Sequence, residues 1–234
     1  MNTKPAAKPP ATPPSAGSGR HVSPTTKVIG AGIAAALLVI TGVLVATHRW
    51  SPKSSQQSAG ASAGRFRFAV GDPGPGMEAP AIVLPASNGE PFNLAALRGK
   101  GVLLYFQEGI GCQPCWDQMR DYAFAADMFK AVGVDTFVTI TSNPVSLLAR
   151  KMRQDGIAGI VLADTDLAVS KTYHANDFGM MGTSTDGHSF VFVDAKGIIR
   201  WRADYGGSPD FTMYVPPPNL LADLRVGLGL AAAP

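Results

Sequence analysis

An α/β fold, with a central mixed sheet flanked by helices, is predicted for residues 69–234 of this 234-residue chain by three features. Segments rich in branched and aromatic residues alternate with helical stretches, the pattern of strand–helix–strand units. One run, VLLYF at 102–106, is apolar without interruption, which suits a central strand covered on both faces. Near the end, SFVFVDAKGIIRWRAD at 189–204 alternates around an Ala-Lys-Gly turn and reads as a β-hairpin.

The segments before this domain read differently. Residues 1–27 are dense in Pro, Ala, Ser, Thr and Gly. They bury too little apolar surface to offset chain entropy, so a disordered tail is expected. Val28–Thr47, VIGAGIAAALLVITGVLVAT, carries no charge. At a 1.5 Å rise per residue such a helix covers about 30 Å, the thickness of bilayer hydrocarbon. His48, Arg49 and Trp50 then supply a basic and aromatic edge. A cleaved signal peptide has a shorter apolar core nearer the start, so a retained transmembrane helix is expected. Lys4, Lys8, Arg20 and Lys27 precede it, and Arg49, Lys53, Arg65 and Arg67 follow, so charge does not orient it. Residues 48–68, containing SPKSSQQSAGASAG, are expected to be a flexible linker. The net charge of +3, with scattered basic residues, gives no case for nucleic acid as a partner.

Within the domain, AIVLPA (81–86) is a short strand before the Asn88-Gly89 turn signal. FNLAAL (92–97) reads as one helical turn capped by Asn93. After VLLYF, a helix is predicted to run from the cysteines to about Val132, with Gly133 ending it. VDTFVTITS (134–142) is a β-branched strand. Pro144 opens a helix that Gly156 closes. IVLAD (160–164) is a third apolar strand, DLAVSKTYH a short helix, and PPNLLADLRVGLG (217–229) a final helix. Together they predict a sheet with helices on both faces.

The two cysteines of the chain, Cys112 and Cys115, stand in GIGCQPCWDQM. A Gly-rich turn leaves the strand and the helix begins at Cys112, so its sulfur lies where free N–H groups and the macrodipole favour a thiolate. Cys115, one turn later, faces the same way, and Pro114 falls in the first turn, where its missing N–H costs nothing. This suits a nucleophile, Cys112, and a resolver, Cys115. A purely structural disulfide gains little from closing so short a loop. A structural zinc site lacks a second cysteine pair.

With these residues in view, GDPGPGMEAPAIVLPASNGEPFNLAALRGKGVLLYFQEGIGCQPCW resembles the opening of the thioredoxin-like redoxin superfamily. That group includes membrane-tethered thiol–disulfide oxidoreductases and peroxiredoxin-like proteins of the AhpC/TSA type. FVFVDAKGIIRWRADYG is similar to its later strand-Asp-x-x-Gly hairpin. The resemblance covers roughly residues 70 to 230. It implies a thioredoxin-like fold and dithiol–disulfide exchange with protein partners, with no cofactor beyond the Cys112–Cys115 pair. It also implies a position outside the cytoplasm on a single-pass anchor, within reach of a membrane electron donor.

The chain departs from the pattern near His188. Oxidoreductases of this fold place a cis-proline just before the hairpin, and counting back from Asp194 that place falls at His188. Peroxiredoxins often carry an arginine there, and a Thr or Ser three residues before the attacking cysteine; this chain has neither. Thiol peroxidase activity is therefore an alternative reading. A second alternative is copper delivery of the Sco-like kind, through Cys112, Cys115 and His188, since two thiolates and an imidazole suit copper. His188 otherwise stabilises the Cys112 thiolate or simply packs near it. Glu108 is either a proton relay for the buried cysteine or a solvated turn residue. Gln113 and Pro114 tune the pair, and Trp116 shields it, forms a docking surface or packs in the core. Tyr173, His174 and the Met180-Met181 pair lie in the loop before His188, where methionines more often fill core gaps than bind metal.

Overall fold

The computed structural model of the chain describes residues 58–59 and 65–231. The tail expected at 1–27 and the transmembrane helix expected at 28–47 lie outside them. Among the described residues no helix is long and apolar enough to cross a membrane.

In chain order the strands are β1 (Ser58–Ala59), β2 (Ala69–Val70), β3 (Val83–Pro85), β4 (Pro91–Asn93), β5 (Val102–Phe106), β6 (Thr136–Thr141), β7 (Ile160–Ala163), β8 (Ser189–Val193) and β9 (Ile199–Asp204). The α-helices are α1 (Gln113–Lys130), α2 (Val145–Asp155), α3 (Ala168–Thr172) and α4 (Pro217–Gly227). The capped turn at FNLAAL is a 3₁₀ turn, Leu94–Leu97, in which the Ala95 N–H donates to the Asn93 side chain. Gly156 ends α2 in the left-handed region, as predicted.

Seven strands form one sheet in the order β1-β2-β9-β8-β5-β6-β7. β5 pairs in parallel with β6 and antiparallel with β8, so the sheet is mixed and VLLYF lies inside it, every residue buried. Alternation along β5 divides the core in two. Leu103 and Tyr105 join Trp116, Tyr122 and Phe129 of α1, Leu148 of α2 and Leu220 and Leu224 of α4. Val102, Leu104 and Phe106 join Ile82, Phe92, Leu94, Tyr173 and Ala175 on the opposite face. Each such fully buried large side chain contributes about 1.5–3 kcal/mol.

Helices on both faces are present, but unevenly. The three long helices share one face, while the other carries the β3–β4 hairpin, the 3₁₀ turn and the short α3. The crossovers β5–α1–β6 and β6–α2–β7 step the same way across the sheet, and right-handed connections then put both helices on the same side.

The linker expected over 48–68 ends sooner than its composition suggested. β1, at Ser58–Ala59, pairs with β2. Phe68 is buried, edge-on to the rings of Trp201 and Tyr205 at 6.2 and 5.2 Å. Phe66 and Val70 pack against the same cluster, so a short apolar run joins the core at the sheet edge.

Candidate active site

The chain leaves β5 through a turn that its own side chains brace. Gln107 accepts the Gly109 N–H at 2.9 Å, and Asn143, just after β6, accepts the Ile110 N–H at 2.8 Å. Gly109 has φ +93°, and a Cβ there would lie 1.9 Å from the Asn143 amide oxygen. Only glycine fits on both counts. Trp116 closes the turn from below, its indole N–H donating to the Gly109 carbonyl at 3.0 Å. Trp116 is fully buried. It is therefore a core brace, the packing role among the three its position allowed, and the first turn of α1 faces it inward.

This turn delivers Cys112 as the N-cap of α1, with its Sγ accepting the Cys115 N–H at 3.3 Å. Cys112 and Cys115 are joined in a disulfide. Cys112 is 7% exposed and Cys115 is 0% exposed, so an incoming group reaches Cys112. On reduction, the Cys115 N–H and the helix N-terminus stabilise a Cys112 thiolate. Gln113 and Pro114 are exposed beside it. The Gln113 amide donates to Asp117 at 3.0 Å and accepts from Lys151 at 3.1 Å.

Cys112 borders a cavity of 560 Å³ whose lining includes Ile110, Pro114, Met180, Met181 and Phe211. Met180 and Met181 are 53% and 63% exposed. The expectation that they fill core gaps is corrected: they line the cavity beside Cys112 and stay exposed. Glu108 also lines the cavity, and its carboxylate accepts the Met180 N–H at 2.9 Å. That bond ties the turn to the methionine loop. Tyr173 is buried, its hydroxyl donating to the Pro80 carbonyl at 2.7 Å, while His174 is exposed beside Asp177.

His188 stands immediately before β8, fully buried. The cis peptides among the described residues, Asp72–Pro73 and Ser208–Pro209, are at other places in the chain. His188 Nδ1 lies 2.9 Å from the Tyr105 hydroxyl, and that hydroxyl lies 3.4 Å from the Cys115 carbonyl oxygen. The imidazole therefore reaches the cysteine pair through Tyr105. Burial lowers the His188 pKa to about 3 and raises that of Tyr105 well above its ordinary value, with the Glu108 charge adding to the latter. Both rings are neutral near pH 7, so His188 does not offer the imidazolium expected of a thiolate stabiliser. Among the described residues no three His, Cys, Asp or Glu side chains gather into a group that could hold a metal.

Several of these residues carry no mark in the sequence. Tyr105 reads as one more apolar strand position. Asn143, Phe211 and Met213 give no signal at all, since only the fold brings them to the turn or the cavity. Asp186, fully buried two residues before His188, has its pKa raised to about 8 by burial, with the Asp164 carboxylate nearby adding to the effect.

Residues 75–202 match the family model of the AhpC/TSA family, more than half of the chain, and the chain belongs to that family. The resemblance to the thioredoxin-like redoxin superfamily is thereby met. The thiol-disulfide oxidoreductase ResA of Bacillus subtilis is 33% identical over 98 residues, 42% of this chain and 54% of ResA. The match thus spans about half the length of that relative. A provisionally named peroxiredoxin of Mycobacterium tuberculosis is 30% identical over 128 residues, 53% of this chain and 81% of that protein. The crystal structure of the peroxidoxin BcpB from Mycobacterium tuberculosis shares the fold, with a TM-score of 0.54 at 21% identity over 65% of this chain and 96% of that one.

Proposed function

We propose that the chain is a thiol–disulfide oxidoreductase, in which Cys112 attacks or is attacked by a partner sulfur and Cys115 resolves the mixed disulfide. The observation that carries this reading is the asymmetry of the pair. One sulfur is the N-cap of α1 and borders an open cavity; the other is sealed beneath it. A dithiol cycle needs that difference, because the partner must meet the nucleophile while the resolver waits out of reach. The likeness to ResA supports the same reading. The partners are protein thiols and disulfides, for which a wide, mostly apolar cavity gives room. Val28–Thr47 anchors the domain to a membrane, outside the cytoplasm, where a quinone- or thiol-linked donor renews the pair.

The test is trapping by the full-length chain. Cys115→Ser should accumulate partners as mixed disulfides on Cys112 that thiol reagents release, and Cys112→Ser should accumulate none. Equal trapping by both variants, or by neither, would overturn the reading. The peroxiredoxin-like relative gives thiol peroxidase activity a place as the second reading. Cysteine-dependent consumption of peroxide at a rate exceeding disulfide exchange would favour it.

A further inference from the structure

Beneath the disulfide, three groups from three separate parts of the chain form one line: the imidazole of His188, the hydroxyl of Tyr105 and the carbonyl of Cys115. All three residues are fully buried. A tyrosine hydroxyl has one hydrogen to give. If it were given to His188, the imidazole proton would sit on Nε2, which has no partner, as a buried orphan donor. Orphan N–H groups are rarer than orphan acceptors. With the proton on Nδ1, His188 donates to Tyr105 and Tyr105 donates to the Cys115 carbonyl, so every N–H and O–H is used. The His188 backbone is held as well: its N–H donates to Phe178, and its carbonyl accepts from Tyr205 and Gly206. The rings of Phe190 and Tyr205 stand edge-on to the imidazole at 5.3 and 6.4 Å. The imidazole is thus fixed in place, and the line runs one way, toward Cys115.

We infer that Tyr105 and His188 are positioning residues that hold Cys115 in place for the second half of the exchange. The inference rests on the proposed dithiol cycle. In that half the Cys115 thiol gives its proton to solvent and its sulfur attacks the Cys112 sulfur of the mixed disulfide. The bond from Cys112 to the partner breaks, the Cys112–Cys115 bond forms, and the partner leaves as a thiolate. The pair is oxidised by two electrons and the partner's disulfide is reduced by two. The hydrogen bonds of the two groups run to each other and to the Cys115 carbonyl, not to a sulfur. Their part is to keep the first turn of α1 in register, so that the buried sulfur stays within reach of its neighbour.

The experiment uses the full-length chain in detergent, reduced and freed of reductant, mixed with one equivalent of dithiobis-nitrobenzoate. Cys112 releases one coloured thiolate on attack, and Cys115 releases a second on resolution. In Tyr105→Phe the first release should keep its wild-type rate and the second should slow roughly five- to tenfold, the worth of one buried hydrogen bond. His188→Leu should behave alike, and the double variant should be no slower than Tyr105→Phe alone, because the two act as a unit. If Tyr105→Phe fails to fold, His188→Leu carries the same two readings. An unchanged second release overturns the inference, and so does an equal slowing of both releases, which marks a merely structural role. A wild-type protein that stops after one release instead overturns the dithiol cycle itself.

Discussion

Two loops meet beside the disulfide, and they are held by different means. The turn at 107–112 is braced by short bonds from Gln107, Asn143 and Trp116, and its glycine is required both by a positive φ and by a neighbour. The loop at 178–188 is tied at its ends, where His188 bonds Phe178 and Gly187 bonds Ala175. Between them Glu108 accepts the Met180 N–H, and the two methionines stand exposed. The first loop sets the reacting atom. The second covers it with adaptable, polarisable side chains, a surface that accommodates varied partners. Rigidity is placed where a sulfur must sit at a helix terminus, and latitude where an unlike partner must pass.

The largest effect expected is loss of chemistry at the first loop. Cys112→Ser should abolish reduction of a protein disulfide in a turbidity assay, whereas Met180→Ala with Met181→Ala should alter the rate by a few-fold at most. Complete loss in the methionine variant would break the comparison.

Glycine substitutions sharpen it. Gly109→Ala meets both strain and a close contact and should destabilise by about 3 kcal/mol, read from a denaturant midpoint. Gly182→Ala in the other loop also has a positive φ, +68°, but nothing within 4 Å of the added carbon, and should cost about 1 kcal/mol.

Titration separates two buried groups of the second loop. An unfolded histidine titrates near about 6.5, whereas folded His188 is held down to about 3. Its contribution to stability is complete above the unfolded value and is lost as pH falls from there through about 3. Asp186 runs the other way. Its folded pKa is raised to about 8, so its contribution is complete below the unfolded value of 3.8 and is lost as pH rises through about 8. Above the titration of unfolded histidine only Asp186 still changes, and stability should decline toward pH 8 there. Asp186→Asn should flatten that decline in melts taken across the range, and His188→Gln should leave it intact.

The smallest effects concern single bonds. Asn143→Ala should cost about 1 kcal/mol by freeing the Ile110 N–H. Glu108→Ala should cost less, because its bond to Met180 is partly open to water. If Glu108→Ala were the costlier, the second loop would be the rigid one.

Much of this was legible in the order of residues. VLLYF could only be an interior strand, and Gly109, the cysteines and Pro114 announce a strand–turn–helix junction, because capping and positive φ are local demands. The pairing of Cys112 with Cys115 is likewise local. The methionine loop was misjudged because hydrophobicity says that a side chain prefers burial, not whether a neighbour exists to bury it. Phe68 was placed in the linker for the converse reason.

By itself, the sequence determined most of the elements, their order and the position of the reactive pair, since each depends on contacts a few residues apart. Only the tertiary structure decided which cysteine is sealed, what lines the cavity, and that His188 meets the pair through Tyr105. Those two residues are 83 positions apart in the chain. They meet because β8 pairs with β5, and no local preference encodes the register of that pairing.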